Sequence, residues 1–163
     1  MSRILALDFG ERRVGLALCD PEERVAFAHD TVLRQSDRQL IAVIRVAIEE
    51  EDVEEIVLGD PLLPDGTAGP MAQRVRSFGK KLQAAIELPI QLVPETLTSV
   101  EAEERLRDAG VNLRRQPHRI DSMAAQILLE EVLTERRRQR LAKNPSDPPP
   151  PAHKEDSAQK EDS

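Results

Sequence analysis

Aromatic residues and cysteine are both scarce in this chain of 163 residues. Trp and Tyr are absent, and the aromatic residues are Phe9, Phe27 and Phe78. A protein that stacks single-stranded bases on an aromatic platform is therefore not expected. The single cysteine, Cys19, excludes an internal disulfide framework and a cysteine-rich zinc site. We accordingly expect the protein to reside in a reducing cytoplasm.

Long apolar runs and net positive charge are also missing. No run approaches the roughly 20 apolar residues of a membrane span, and no secretory apolar core follows the first residues, so no membrane association is expected. The net charge is −7. This charge argues against a nucleic-acid affinity that depends on bulk positive charge, but it leaves room for local basic patches.

Proline and charged residues are concentrated at the end of the chain. Residues 144–163 contain a proline run and a repeated Lys-Glu-Asp-Ser segment, with almost no apolar side chains. Such a segment cannot bury surface, and we predict that it is a disordered, acidic, Pro-rich tail. Residues 1–143 are long enough to form one domain with one substantial core.

Hydrophobic periodicity in residues 1–143 predicts an α/β domain with the order βββαβαβα, in which two successive helices follow the last strand. Three strands with short connections come first and indicate an antiparallel meander. Strands and helices then alternate, so we expect a mixed five-stranded sheet with helices on both faces. The predicted strands are 3–8, 14–19, 25–33, 55–59 and 89–93, and the predicted helices are 37–51, 70–86, 99–109 and 120–141.

Three acidic residues stand where such a sheet forms sites. Asp8 ends the first strand, Glu95 follows the last strand, and Asp121 opens the last helix. If they converge, their mutual repulsion requires cations. Hard oxygen ligands without His or Cys suit Mg²⁺ or Mn²⁺, and two such ions can stabilise both oxygens of a phosphoryl displacement. Taken singly, each acid also fits a structural role, as a turn former, a solvated strand end or a helix-start residue.

Four sequence blocks together resemble the YqgF/RuvX family of Holliday-junction-resolvase-like nucleases, within the RNase H-like superfamily. The resemblance extends from about Ile4 to Leu133. The blocks are LALDFGERRVGLAL at 5–18, IVLGDPLLPDGTAGP at 56–70, PETLTSVEAE at 94–103 and HRIDSMAAQILLEEVL at 118–133.

The resemblance implies an RNase H-like fold and metal-dependent phosphodiester hydrolysis. It implies that Asp8, Glu95 and Asp121 are both the catalytic residues and the ligands of Mg²⁺ or Mn²⁺. The implied substrate is structured RNA, notably the end of pre-16S ribosomal RNA in a ribosome precursor, or else branched DNA. We also regard seven residues in or next to these blocks as candidate nucleic-acid contacts. They are Arg12, Arg13, Gly66, Thr67, Thr98, Arg115 and Arg119.

Two positions depart from the family pattern. The third block usually has an acidic and a basic residue where Pro94 and Thr96 stand, and the lost basic side chain could have oriented a phosphate or Glu95. The second block usually has an apolar residue where Asp60 stands, and an added negative charge near a phosphate path is unfavourable. We expect these changes to affect efficiency and substrate affinity while leaving the three acids in place.

Two other functions remain open at the level of the sequence. The first hairpin also resembles the phosphate-binding hairpin of actin-like kinases, although those proteins enclose a nucleotide between two such domains. A non-catalytic partner of the ribosome or of nucleic acid with the same fold would suit the net negative charge. The chain could act as a monomer or as a homodimer, and a dimer would merge two basic surfaces.

Overall fold

A computed structural model describes residues 1–95 and 98–143, except for the side chains of residues 98 and 99. The predicted element order is confirmed, with boundaries shifted by a few residues. The predicted tail, 144–163, lies outside the described residues. The elements are β1 (Ile4–Phe9), β2 (Arg13–Cys19), β3 (Ala26–Leu33), α1 (Asp37–Glu50), β4 (Glu55–Pro61), α2 (Pro70–Ala85), β5 (Ile90–Glu95), α3 (Thr98–Asp108) and α4 (Arg119–Lys143).

The five strands form one mixed sheet in the order β3-β2-β1-β4-β5. The first three strands pair antiparallel, β1 pairs with β4 in parallel, and β4 pairs with β5 in parallel. Because β1, β4 and β5 run in one direction, their carboxyl ends share one edge of the sheet. Sites in open α/β sheets form at such an edge. The predicted meander and mixed sheet are therefore both present.

Alternate side chains of the central strands enter two separate cores. Leu5 and Leu7 of β1 belong to a core that includes α1 and α2, whereas Ile4 and Ala6 belong to a core that includes α4. All six residues of β1 are buried, as expected for a strand covered on both faces. Helices therefore cover both faces, as predicted, and α3 packs on α4 rather than on the sheet.

Local signals in the sequence define several helix ends. The Ser36 hydroxyl accepts a 3.1 Å hydrogen bond from the N–H of Gln39 and caps α1. Pro70 occupies the start of α2, where its missing N–H leaves no helical hydrogen bond unmade. Gly110, at φ +78°, follows the end of α3 in the left-handed conformation that favours glycine.

The carboxyl-terminal half of α4 is held by a partly buried ion network. The Arg136 guanidinium donates to Glu23 at 2.6 Å and to both carboxylate oxygens of Glu55, and Arg140 donates to Glu23 at 2.6 Å. Glu23 is only 3% exposed. This network ties α4 to the turn before β3 and to the start of β4. We name it the distal ion network, because it lies at the opposite end of β1 from Asp8.

None of the helices in residues 1–95 and 98–143 combines the length and apolarity that crossing a membrane requires.

Candidate active site

Asp8 lies near the carboxyl end of β1, on the face of the sheet that α4 covers. Ile4 and Ala6 precede it on that face and are core residues, and Asp8 itself is only 7% exposed. Its partner on β2 is Gly15. On the other side, Leu7 pairs with Leu58, so Gly59 stands level with Asp8 on β4. A carboxylate on the central strand is thus flanked by two positions that carry no side chain.

Gly15 allows the first turn of α4 to approach the sheet. A Cβ atom at this position would overlap the carbonyl oxygen of Asp121 and would lie 2.8 Å from the amide nitrogen of Ser122. The Asp121 carboxylate reaches over the turn between β1 and β2, with Oδ1 3.4 Å from the position of a Cβ on Gly10. Glycine at position 15 therefore sets the distance between Asp121 and the strand that carries Asp8.

Gly59 allows the Glu95 side chain to turn inward. Glu95 is the last residue of β5 and is paired with Pro61, one step beyond Asp60. A Cβ atom on Gly59 would overlap the Glu95 carboxylate and would lie 2.9 Å from its Cγ. In the space that the glycine leaves, the carboxyl groups of Asp8 and Glu95 come within hydrogen-bonding distance of each other. We name Asp8 and Glu95 the acid pair.

Burial and mutual repulsion raise the pKa values of these acids. Burial raises the pKa of Glu95 to about 10, with a further contribution from contact with Asp8. Burial also raises the pKa of Asp8, against the opposing effect of its hydrogen bond with Glu95. The pKa of Asp121 is raised by burial and by the charge of Asp8, while Arg13 and His118 oppose the shift. All three acids thus resist ionising together.

The acid pair has the chemistry of a ligand set for a hard cation. Glu95 Oε1 is buried and, among the described residues, has no hydrogen-bond partner. Two ionised carboxylates in contact are unfavourable unless they share a proton or a cation. Within residues 1–95 and 98–143, however, no group of three or more acidic, His or Cys side chains stands ready to hold a metal. Of the three predicted ligands, the structure thus brings Asp8 and Glu95 into contact, whereas Asp121 lies beside this pair.

Two of the candidate nucleic-acid contacts adjoin Asp121. Arg12 and Arg13 line a shallow cavity of about 420 Å³ together with Asp121 and Leu33. Arg13 is also close enough to oppose the raised pKa of Asp121. The backbone of Arg12 is fixed, because its carbonyl accepts a 2.8 Å hydrogen bond from the N–H of Arg34. These two arginines place positive charge on the Asp121 side of the site.

The loop that contains Gly66 and Thr67 forms a closed turn. The N–H of Gly66 donates to Leu63 at 2.8 Å, and the N–H and hydroxyl of Thr67 donate to Asp65 at 3.0 and 2.6 Å. Gly66 has φ +82°. Because these donors are engaged within the loop, the geometry favours a structural turn over a phosphate cradle.

The remaining candidate contacts lie around the starts of α3 and α4. Arg115 and Arg119 are exposed, Arg115 in the loop before α4 and Arg119 at the first position of that helix. The loop is attached to the sheet by the hydroxyl of Thr31, which donates to the carbonyl of His118 at 2.7 Å. Thr98 begins α3, but its side chain lies outside the described part of the structure.

The sequence analysis missed three residues that shape this site. Gly15 and Gly59 were given no role, although an isolated glycine within a strand signals close approach by another group. Arg76 was also missed. It donates to the buried Asp60 carboxylate, with its Nη2 2.8 Å and its Nε 3.3 Å from Oδ2. The added negative charge at Asp60 is therefore paired with a cation.

Comparison with known proteins places the chain among bacterial relatives of similar length. The model of the family described as RuvX, Holliday junction resolvase, matches residues 2–135. A protein of Syntrophus aciditrophicus named "Putative pre-16S rRNA nuclease" is 43% identical over 131 residues, which are 80% of this chain and 87% of the relative. A protein of the same name from Maridesulfovibrio salexigens is 39% identical over 131 residues, 80% of this chain and 97% of the relative. The resemblance drawn from the sequence blocks is confirmed.

Two solved structures support the fold. RuvC of T. thermophilus, in complex with a Holliday junction substrate, has a TM-score of 0.53 and 13% identity, covering 84% of this chain and 96% of that chain. The fowlpox virus resolvase, in complex with Holliday junction DNA, has a TM-score of 0.52 and 10% identity, covering 82% of this chain and 97% of that chain. At these identities the similarity concerns the fold alone. It agrees with the mixed five-stranded sheet that the sequence predicts.

Proposed function

The chain belongs to the RuvX family of Holliday junction resolvases, and on that premise we propose that it is a metal-dependent nuclease of structured nucleic acid. The observation that carries the proposal is the acid pair. Two carboxylates from distant parts of the chain are buried in contact at the carboxyl edge of the sheet, and Glu95 Oε1 has no hydrogen-bond partner within the described residues. Two such carboxylates are tolerated in contact only when they share a proton or bind a cation, and a bound cation would allow both to ionise.

Asp8 and Glu95 would hold Mg²⁺ or Mn²⁺, with Asp121 as the adjoining carboxylate. When bound, a divalent cation supplies charge stabilisation for the attacking and leaving oxygens of a phosphodiester. The protein contributes the fixed positions of the ligands. Burial of Asp8 excludes water from its carboxylate, and Gly59 lets Glu95 reach it. The raised pKa of Asp121 suits a group that exchanges a proton near the reacting atoms.

We propose structured RNA as the substrate, specifically the end of pre-16S ribosomal RNA. The support is the name shared by the relatives from Syntrophus aciditrophicus and Maridesulfovibrio salexigens, which match along nearly the whole described domain. The net charge of −7 means that affinity must come from local contacts. Arg12 and Arg13, which line the cavity beside Asp121, are the first candidates for contacts to phosphate.

Cleavage assays with the full chain test this function. The substrates are an RNA helix with a single-stranded 3′ extension and a four-way DNA junction, each in Mg²⁺, in Mn²⁺ and in EDTA. We expect RNA cleavage that requires a divalent cation and falls about a thousandfold in Asp8→Asn and in Glu95→Gln. The exposed Asp108 at the end of α3 provides a matched control, and Asp108→Asn should cleave normally.

Each outcome of these assays has a definite meaning. Cleavage of the junction alone would replace RNA by branched DNA as the substrate. Absence of cleavage for both substrates, or undiminished cleavage by Asp8→Asn, would remove the nuclease assignment. Binding of the RNA without any turnover would indicate a non-catalytic partner that retains the fold.

A further inference from the structure

Asp60 is a buried carboxylate that the proposed reaction does not use. It follows Gly59 on β4, so its side chain points to the opposite face of the sheet, towards α2, and it is 6% exposed. Its Oδ1 is buried and has no hydrogen-bond partner among residues 1–95 and 98–143. Burying a carboxylate is costly unless it is paired and hydrogen-bonded. The cost therefore requires a compensating partner.

That partner is Arg76, whose side chain is far more exposed than that of Asp60. The Arg76 side chain is 45% exposed, whereas that of Asp60 is 9% exposed. Both donors that reach Asp60, Nη2 and Nε, lie on one edge of the planar guanidinium and meet a single oxygen, Oδ2. The other edge, with Nη1, has no hydrogen bond to the described part of the chain and is available to a ligand. A guanidinium fixed in this way loses little freedom on binding a further anion.

Arg76 stands at the same edge of the sheet as the acid pair. Asp60 is paired with Pro94, and the next pair along the two strands is Pro61 with Glu95. Asp60 is also close enough for its charge to affect Glu95. The acid pair and Arg76 therefore flank the carboxyl ends of β4 and β5 from opposite faces. A polyanion that crosses this edge to reach Glu95 would come near the exposed Arg76 side chain.

We propose that Arg76 binds a backbone phosphate of the nucleic acid and that Asp60 is the positioning residue that orients it. The inference rests on the proposed function, which it deepens by adding a substrate contact on the α2 side. Arg12 and Arg13 lie on the other side of the acid pair, beside Asp121. The two basic groups together would hold the backbone on both sides of the acids. Arginine suits this role because its donors match phosphate in a fixed geometry.

Binding measurements separate this role from a purely structural ion pair. The full chain carrying Asp8→Asn is titrated with the RNA helix described above, and fluorescence anisotropy is recorded at several KCl concentrations. We expect Arg76→Ala to raise Kd about tenfold and to reduce the slope of log Kd against log salt by about one. Arg74, exposed on the same helix and without a partner among the described residues, is the matched control. Arg74→Ala should change Kd less than about threefold.

A double-mutant cycle tests the part of Asp60. We expect Asp60→Asn to raise Kd about threefold to fivefold while Arg76 is present, but not to raise it further in Arg76→Ala, where there is no guanidinium left to orient. Equal effects of Arg74→Ala and Arg76→Ala would overturn the inference. A lower unfolding midpoint with unchanged Kd and salt slope would overturn it as well, since the ion pair would then be only structural. If the chain with Asp8→Asn alone binds neither RNA nor a DNA junction, the proposed function and this inference fail together.

Discussion

Gly59 leaves open the space that the Glu95 carboxylate occupies. The two residues lie on neighbouring parallel strands, and a Cβ atom at position 59 would overlap the end of the Glu95 side chain. With hydrogen at this position, Glu95 reaches across β4 to Asp8 on β1. The contact between two acids that are far apart in the sequence therefore depends on the absence of one methyl group.

The variant Gly59→Ala should lose activity more than stability. The added Cβ meets a flexible carboxylate rather than backbone, so Glu95 can rotate away while the strand keeps its place. A displacement of about 1 Å at a catalytic group typically costs about a hundredfold in rate. We expect a loss of that size in cleavage of the RNA helix, measured under single-turnover conditions.

Gly79→Ala is a suitable control for this variant. It also adds one methyl group, and that group lies 3.1 Å from a terminal methyl of Leu58, on the opposite side of β4 from Glu95. Cleavage by Gly79→Ala should stay at the level of the unaltered protein. If Gly59→Ala cleaves as well as Gly79→Ala, then the position of Glu95 does not matter for the reaction.

The variant Gly15→Ala should lose stability instead. Here the added Cβ overlaps the main-chain carbonyl of Asp121, which can move only if α4 moves. Overpacking of a well-filled interior costs about 1–3 kcal/mol, and a clash with backbone belongs at the upper end. We expect urea unfolding to show a lower midpoint at an unchanged slope. An unchanged midpoint would mean that α4 does not rest on Gly15.

The cation-free protein should become less stable as the pH rises. Burial holds the pKa of Glu95 at about 10 in the folded state, well above that of an unfolded glutamate. Between about pH 4.3 and that value, the folded state binds more protons than the unfolded state, so the free energy of unfolding decreases with pH. One such proton contributes up to about 1.4 kcal/mol per pH unit.

Urea unfolding in EDTA at pH 6 and pH 8 measures this effect. The variant Glu95→Gln cannot ionise at this position, and it should be more stable than the unaltered protein at pH 8 and depend less on pH. Asp8 and Asp121 also have raised pKa values and contribute with the same sign. If the free energy of unfolding of the unaltered protein increases from pH 6 to pH 8, the pKa of Glu95 is not raised by burial.

The variant Arg136→Met tests the distal ion network. Arg136 lies between Glu23 and Glu55, and removing it leaves the largely buried Glu55 carboxylate without its cation and Glu23 with one cation fewer. Loss of one partner from a buried ion pair costs about 3–5 kcal/mol. We expect a loss near the lower figure, because Arg140 still contacts Glu23. Arg138, whose side chain is 74% exposed, is the control, and Arg138→Met should change the unfolding midpoint very little.

The sequence was sufficient to predict the fold because its signals were local. Period-two and helical patterns identify strands and helices, and features such as the Ser36 cap and Gly110 mark helix ends within one turn. The meander and the parallel pairings then follow from short connections and from the alternation of strands and helices. The boundaries differ by a few residues, since β4 and β5 continue through prolines that suggested turns.

The site was predictable only in part, because its contacts join distant segments. The positions of Asp8, Glu95 and Asp121 at element ends were recognised, but which pairs touch depends on strand register and side-chain direction. The partnership of Arg76 with Asp60 depends on how α2 lies on β4. The two partners of Arg136, Glu23 and Glu55, lie on other elements and could be found only in the structure.

The attachment of α4 at both ends has a consequence for insertions and deletions. Asp121 is seated over Gly15 at one end, and Arg136 is bound to Glu23 and Glu55 at the other. Adding or removing one residue between them would rotate one end relative to the other by about 100°. Either Arg136 would then point away from Glu23 and Glu55, or Asp121 would point away from the acid pair. The number of residues in this stretch of helix is therefore as constrained as the identity of the acids themselves.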